Sequence, residues 1–206
     1  MFTPTIARRA ALAGAATVVL ALTGCAGDHS PSGMGHDQPR STASGASAGA
    51  SAFGPADVMF AQMMIPHHQQ AVEMADLAAT RAADPAVKRL AGQIKAAQAP
   101  EIATMSGWLA AWGRPMPSPG GKMPHMDHGM PGMMSAADMA RLAAVSGREF
   151  DRQFLTMMIA HHEGAITMAE DELAEGANPD AKKLAQEIIT AQRAEITTMR
   201  EILARL

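Results

Sequence analysis

The spacing of apolar residues predicts two amphipathic helices between residues 57 and 112. At about 100° per residue, one apolar stripe runs along the first helix, opposite a face that carries Gln69, Glu73 and Asp76. The members of that stripe are Phe60, Met64, His67, Ala71, Met74 and Ala78. Asp84 followed by Pro85 suits an N-cap and a first helical turn, so a second helix is expected to begin there. Its stripe consists of Leu90, Ile94, Ala97, Glu101, Met105, Trp108 and Trp112.

The same pattern occurs a second time later in the chain. Residues 60–109 align with residues 154–203 without a gap and are identical at 22 positions. Asn178-Pro179 repeats the helix break, and the last helix has the stripe Leu184, Ile188, Gln192, Glu195, Met199 and Ile202. Two hairpins, at about 57–112 and 135–206, predict an all-α fold, an antiparallel four-helix bundle over residues 55–206.

The N-terminal segment reads as an export signal. Arg8 and Arg9 precede a short apolar run, which ends in the lipobox-like sequence "LTGC" at Cys25. We therefore expect a lipoprotein signal peptide over 1–24, lipidation of Cys25, and attachment to the outer face of a bacterial cell membrane. The alternatives are an ordinary signal peptide with an incidental cysteine, and either general secretory or twin-arginine export. Residues 25–54 are rich in Ser, Gly and Ala, which predicts a disordered tether.

The amino-acid composition argues against several classes of function. The formal net charge of −3 argues against a nucleic-acid partner. Cys25 is the only cysteine, which excludes intrachain disulfides and thiolate clusters. No nucleophile–base pair, phosphate-binding glycine loop or zinc-protease motif occurs, so we expect no enzymatic activity. The 18 methionines and 8 histidines stand out, because many lie outside any apolar stripe.

The two His-His pairs are the central candidates. His67 lies within the stripe of its helix and His68 at its flank, and His161 and His162 repeat this arrangement. A buried carboxylate is costly unless it is paired. We therefore expect His67 and His161 to meet the glutamates of the second and fourth helices in a polar core network. That network could be purely structural, with an exchangeable metal ion in the flanking layer.

Methionine beside histidine indicates a soft metal. Neutral imidazole suits copper, and thioether sulfur selects Cu(I) or Ag(I) over harder ions, although Cu(II) is an alternative. The helical candidates are Met63, Met64, His67, His68, Met74, Glu101, Met105, Met157, Met158, His161, His162, Met168, Glu195 and Met199.

The crossover at 113–134 holds a third group of candidates. Its Pro and Gly content predicts irregular structure, so a packing role for its side chains is weak. We expect it to capture copper through Met123, His125, Met126, His128, Met130, Met133 and Met134.

The motif Phe-x-x-Met-Met-Ile-Pro-His-His-x-x-Ala-Val-x-Met-Ala, followed by Leu-Ala-x-x-Ile-x-x-x-Gln-x-x-Glu-Ile-x-x-Met, resembles the family called domain of unknown function 305. The resemblance covers Pro55 to Leu206 and implies a ferritin-like four-helix fold, commonly exported, in which some members bind copper or silver through Met and His. The family motif falls on all fourteen helical candidates. Pro66 should kink the first helix or start a new segment before His67, whereas the second copy has Ala160.

We therefore expect copper sequestration, resistance or transfer, the last with a partner protein. The alternatives are a ferritin-like di-iron or di-manganese protein and a structural or partner-binding bundle of the cell envelope. No Glu-x-x-His pair of the di-iron type occurs.

Overall fold

A computed structural model describes residues 52–117 and 130–206, and this part of the chain is all-helical, without a strand. The helices are α1 (Pro55–Arg81), α2 (Pro85–Ala111), α3 (Ala136–Ala144), α4 (Gly147–Glu175) and α5 (Pro179–Arg205). The predicted all-α bundle is confirmed. The signal peptide, Cys25, and the crossover residues Met123, His125, Met126 and His128 lie outside the described residues.

Each hairpin turns at a capped break. The Asp84 side chain accepts a hydrogen bond from the Ala86 N–H at 2.7 Å, and Asn178 accepts from Asp180 and Ala181 at 3.0 Å. These bonds satisfy donors that the first helical turn leaves free, and the following prolines need no such partner. The short loops therefore make α1–α2 and α4–α5 antiparallel neighbours.

Helix α3 was not anticipated. It occupies residues that were assigned to the start of the second hairpin, and it begins with a capping box between Ser135 and Asp138. Its Leu142 is fully buried against the bundle. The predicted four long helices are thus joined by a fifth, short one that leads the crossover into α4.

The predicted apolar stripe of α1 is buried at every position. In α2 one position of the prediction is wrong, since Ala97 is exposed and Gln98 is buried in its place. Gln98 corresponds to Gln192 of the second copy, which is also buried. The repeat alignment was therefore a better guide to the buried face than the stripe of α2 alone.

Two buried aspartates tie the hairpins together. Asp57, at the start of α1, accepts from the N–H groups of Ala177 and Asn178 in the α4–α5 loop, the latter at 2.7 Å. Asp151, at the start of α4, accepts from the N–H groups of Ala83 and Asp84 in the α1–α2 loop, at 3.0 and 2.9 Å. This reciprocal arrangement follows the pseudo-twofold relation between the copies.

Helix α1 continues through Pro66 without starting a new segment, so that alternative of the prediction is wrong. Just before the start of α1, Phe53 stacks on Trp112, which follows the end of α2, with ring centroids 4.8 Å apart. The packed region therefore includes residues just before α1. Within the described ranges, no helix combines the length and apolarity needed to cross a membrane.

Candidate metal centre

Four histidines form a buried layer in the middle of the bundle. His67, His68, His161 and His162 have no solvent exposure. The rings of His67 and His161 face each other across the α1–α4 interface, with centroids 3.7 Å apart. Two apolar clusters flank this layer, one toward the start of α1 and one toward its end. The pseudo-twofold relation thus brings the two His-His motifs to one place.

The glutamates bind the outer histidine of each pair and not the inner one. His68 Nε2 lies 2.7 Å from Glu101 Oε2, and His162 Nε2 lies 2.7 Å from Glu195 Oε2. The predicted pairing of His67 and His161 with these carboxylates is therefore wrong. Adjacent helical residues point about 100° apart, so one imidazole faces the partner helix of its own hairpin and the other faces the opposite hairpin.

The hydrogen bonds leave a repeated set of free ring nitrogens. In His67, His68 and His162, Nε2–H donates to an oxygen, while Nδ1 is buried without a partner among the described residues. Neither ring nitrogen of His161 makes a hydrogen bond of normal geometry in the described structure, although the His67 backbone lies near enough to interact with the ring. A metal-binding histidine typically donates one N–H to a carboxylate or carbonyl and presents the other nitrogen to the metal. Three of the four rings have this arrangement.

The inner histidines are neutral at ordinary pH. Burial, followed by the charge of His68, lowers the pKa of His67 to about 3. Burial and then the neighbouring His67 also hold the pKa of His161 well below its usual range of about 6.5. Because a metal competes with protons for imidazole nitrogen, these lone pairs stay available under acidic conditions.

The end of the crossover lies directly over the inner pair. The Pro131 carbonyl accepts a hydrogen bond from His67 Nε2–H at 3.0 Å. The Gln70 side chain donates to the Met134 carbonyl at 2.9 Å and accepts from the Met134 N–H at 2.7 Å. These three bonds fasten residues 130–134, the crossover strap, across the histidine layer.

Glycines make room for the crossover strap. Gly132 has a φ of 73°, and a Cβ there would stand 2.5 Å from the Ala160 carbonyl oxygen. A Cβ on Gly164 would overlap the Pro131 carbonyl. The strap therefore rests on the backbone of α4. The first copy has Gln70 at the position of Gly164. Gln70 therefore binds the strap by hydrogen bonds, whereas Gly164 leaves space for its backbone.

The methionines fall into buried and half-buried sets. Six helical candidates are buried in the apolar clusters, three in each: Met64, Met105 and Met168 in one, and Met74, Met158 and Met199 in the other. Met63, Met157 and the strap residues Met130, Met133 and Met134 are half-buried. Met134 and Met157 border the same open groove between α3 and α4.

Residues 57–203 match the model of a family described as Domain of unknown function (DUF305). The chain belongs to the DUF305 family. This membership confirms the resemblance drawn from the His-His and Met motifs. No curated protein matches the sequence significantly.

Solved structures of DUF305 proteins share the fold. A DUF305 protein from Streptomyces coelicolor that is described as secreted is 38% identical, with a TM-score of 0.66 over 73% of this chain and 93% of that chain. The Cu(I)-bound form of CopM is 34% identical, with a TM-score of 0.60 over 72% of this chain and 96% of that chain. CopM structures include Cu(II)-bound, Ag-bound and apo forms.

A cluster of hard ligands is absent from the described part of this DUF305 chain. No three or more His, Cys, Asp or Glu side chains there are grouped so that they could hold a metal ion. A ferritin-like di-metal centre requires such a group. Any ion bound in the histidine layer would therefore need thioether ligands or only two imidazoles, and both suit a soft monovalent ion.

Proposed function

We propose that this protein is an exported, lipid-anchored copper-binding protein that sequesters Cu(I), accepts Ag(I) in its place, and hands copper on to a partner. Copper is its cargo, and the protein performs no catalysis. The proposal rests on one observation above all: buried, neutral histidines meet at the centre of the bundle with ring nitrogens that have no partner among the described residues. An imidazole nitrogen buried without a partner costs stability, which a bound metal ion would recover.

The proposed inner site uses His67 and His161, with thioethers from the crossover strap as further ligands. Linear or trigonal coordination by imidazole and thioether suits Cu(I), whereas the two His–Glu pairs hold the outer rings in place. Met133 and Met134 are half-buried on the strap that Pro131 fastens to His67. The six methionines in the apolar clusters are not needed as ligands in this arrangement.

The Met/His-rich part of the crossover would serve as the capture arm. It adjoins the strap in sequence, so an ion bound by Met123, His125, Met126 or His128 could pass to Met130, Met133 and Met134 and then inward. Thioethers do not ionise and do not form disulfides, which makes them suitable ligands outside the cytoplasm. Met157, beside Met134 in the groove, would receive copper during that transfer.

Export is supported by the sequence of residues 1–25 and by the secreted relative from Streptomyces coelicolor. Lipidation of Cys25 would hold the bundle at the outer face of the cell membrane, with residues 26–51 as the link. Copper and silver binding is supported by the similarity to CopM, which was crystallised with Cu(I), Cu(II) and silver. Cu(II) binding to the histidines is the alternative oxidation state.

A competition titration with a Cu(I) chelator tests the proposal. The His67→Ala/His161→Ala double variant should lose at least about tenfold in Cu(I) affinity, the lower end of what disturbing a metal site costs. Gln98→Ala/Gln192→Ala is a matched control, because these glutamines are also buried, duplicated and without thioether or imidazole chemistry. The control should bind Cu(I) as the unaltered protein does.

A second variant that lacks residues 118–129 should bind Cu(I) more slowly at an unchanged final affinity of the inner site. Unchanged affinity and rate in both variants would reject the copper proposal. Uptake of Fe(II) with oxygen consumption would instead favour the di-metal alternative.

A further inference from the structure

We propose a second soft-cation site for Cu(I) or Ag(I) at the end of the bundle where α1 begins and α4 ends, apart from the histidine layer. A cavity of about 130 Å³ opens there. Three thioethers and three carboxylates line it, together with Ala56 and Phe60: Met59, Met63, Met168, Asp171, Glu172 and Glu175. This inference does not depend on copper binding by the histidines.

Glu172 is the first sign that the cavity takes a ligand. It lines the cavity, its exposed fraction is only 2%, and its described hydrogen-bond partner is the carboxyl group of Asp57, with which it has to share a proton. Two buried carboxyl groups side by side are destabilising when both are ionised, unless a cation compensates their charge. Gly176 provides the space for it, because a Cβ there would overlap the Glu172 carboxyl group.

The first copy of the repeat shows that the fold does not require these groups. Glu172 corresponds to Ala78, which is fully buried, and Asp171 and Glu175 correspond to Leu77 and Arg81. Met59 corresponds to Gln153. The opposite end of the bundle thus packs with an alanine and without the acidic residues.

Asp57 and Asp151, each of which clamps the loop of the opposite hairpin through its N–H groups, also indicate that the fold does not require Glu172. Asp57 lies close to Glu172, which could suggest that Glu172 serves only to support this clamp. Asp151, however, makes the equivalent hydrogen bonds to Ala83 and Asp84 at the other end, where Ala78 replaces the glutamate. Glu172 is therefore an addition to this end of the bundle and not a requirement of the clamp.

The donor set selects the ion. Three thioethers from two helices are soft, neutral ligands that favour Cu(I) and Ag(I) over Ca²⁺ or Mg²⁺. Asp171 and Glu175 at the cavity add the negative charge that a thioether set lacks, and they attract a cation to the entrance. Met59 is more than half exposed, so an ion can reach this cavity directly from solvent, without passing the crossover strap.

Methionine oxidation with and without Ag(I) tests this site. In the full protein with His67→Ala/His161→Ala, which disables the inner site, Ag(I) should protect Met59 and Met63 from peroxide at least about fivefold by peptide mass spectrometry, since a coordinated sulfur is not free to react. Met116 is the internal control, because it is similarly exposed but lies outside the cavity. Its oxidation rate should not change.

Met59→Leu should abolish the protection of Met63, and Glu172→Ala, which copies Ala78, should weaken it. Met116→Leu is the matched control and should leave it intact. Equal oxidation of Met59 with and without Ag(I) would overturn the second site. Protection by Ca²⁺ but not by Ag(I) would also overturn it. Since the inner histidines are absent throughout, failure here would leave the proposed function untouched.

Discussion

The two hairpins carry the same histidines and glutamates but differ in what surrounds them. His68–Glu101 in the first and His162–Glu195 in the second have the same 2.7 Å hydrogen bond. His67, however, donates to the crossover strap, whereas neither ring nitrogen of His161 makes a hydrogen bond of normal geometry in the described structure. In the repeat alignment, Gln70 of the first copy corresponds to Gly164 of the second, and Ala78 corresponds to Glu172.

This difference separates what the two hairpins share from what only one of them carries. Residues that the fold or the histidine layer needs should occur in both copies, as the four histidines, their glutamates and Asp57 with Asp151 do. Residues that occur in one copy only, such as Gln70, Gly164 and Glu172, answer to something that the fold alone does not require. The asymmetry centres on the crossover strap and on the cavity at the start of α1.

Among the substitutions that test this difference, Gly164→Ala should lower the free energy of unfolding the most. A Cβ at Gly164 would overlap the Pro131 carbonyl, so the strap must shift or detach. We expect a loss of about 1–3 kcal/mol in the free energy of unfolding, as is usual for overpacking. Gly92→Ala is the control, since a Cβ there meets nothing within 4 Å and should stabilise α2. Urea denaturation measures both, and equal effects of the two substitutions would contradict the docked strap.

Gln70→Ala should come next. It removes both hydrogen bonds to the Met134 backbone, worth about 1–2 kcal/mol together. The neighbouring Gln69 is exposed, so Gln69→Ala should change the free energy of unfolding by less than about 0.5 kcal/mol. Hydrogen exchange of the Met134 amide should rise in the Gln70 variant alone. Unaltered exchange there would mean that Gln70 does not hold the strap.

The inner histidines should respond differently to substitution in the metal-free protein. His161→Leu removes two unpartnered polar atoms and should raise the free energy of unfolding by up to about 1 kcal/mol. His67→Leu loses its bond to Pro131 and should lower it by about 1 kcal/mol. Thermal denaturation in the presence of a chelator compares the two. A loss of stability in both would indicate that His161 has a partner after all.

The pH dependence of stability should show the smallest difference between the two ends. Burial, followed by the adjacent Asp57, raises the pKa of Glu172 to about 8 from its usual 4.5. Between these pH values only the folded chain retains the proton, so the free energy of unfolding should fall as pH rises from about 4.5 to about 8. The effect is modest because the ionised carboxylate can take up water from the adjoining cavity.

Glu172→Ala should flatten this slope, since Ala78 at the other end has nothing to titrate. Asp57 acts in the opposite sense. Burial alone would raise its pKa, but hydrogen bonds from the N–H groups of Gly54 and Asn178, from the Glu172 carboxyl group and from the Ala177 N–H lower it below 3.8 overall. Its contribution is therefore lost only as pH falls through that lower range. An unchanged slope in the Glu172 variant, measured by melting temperature from pH 4 to 9, would contradict this assignment.

Much of the fold could be predicted from the repeat and the apolar stripes. The four long helices, their capped breaks and the burial of His67 and His161 follow from periodicity and from residues such as Asp84 and Pro85. The aspartate clamps were missed, although extending the repeat alignment three residues toward the N-terminus pairs Asp57 with Asp151. That pairing was the available signal.

The candidate site was harder to predict, because a stripe gives the buried face but not the neighbour that each side chain meets. His67 and His68 are both buried, and only the packing of α1 between α2 and α4 decides which of them reaches Glu101. The strap depends on a backbone contact at Gly164, for which no apolar pattern exists. Helix α3, only nine residues long, likewise had too short a pattern to stand out from the crossover.

The central claim is that the buried ring nitrogens bind a soft metal, and histidine nitrogen NMR tests it most directly. Protein labelled with ¹⁵N at histidine should show a hydrogen-bonded Nε2–H and an unprotonated Nδ1 in His67 without metal. Addition of Ag(I) should then shift the ring-nitrogen resonances of His67 and His161, while the hydrogen-bonded Nε2 signals of His68 and His162 stay in place. Tight uptake of Ag(I) that leaves all four histidine spectra unchanged would contradict the account.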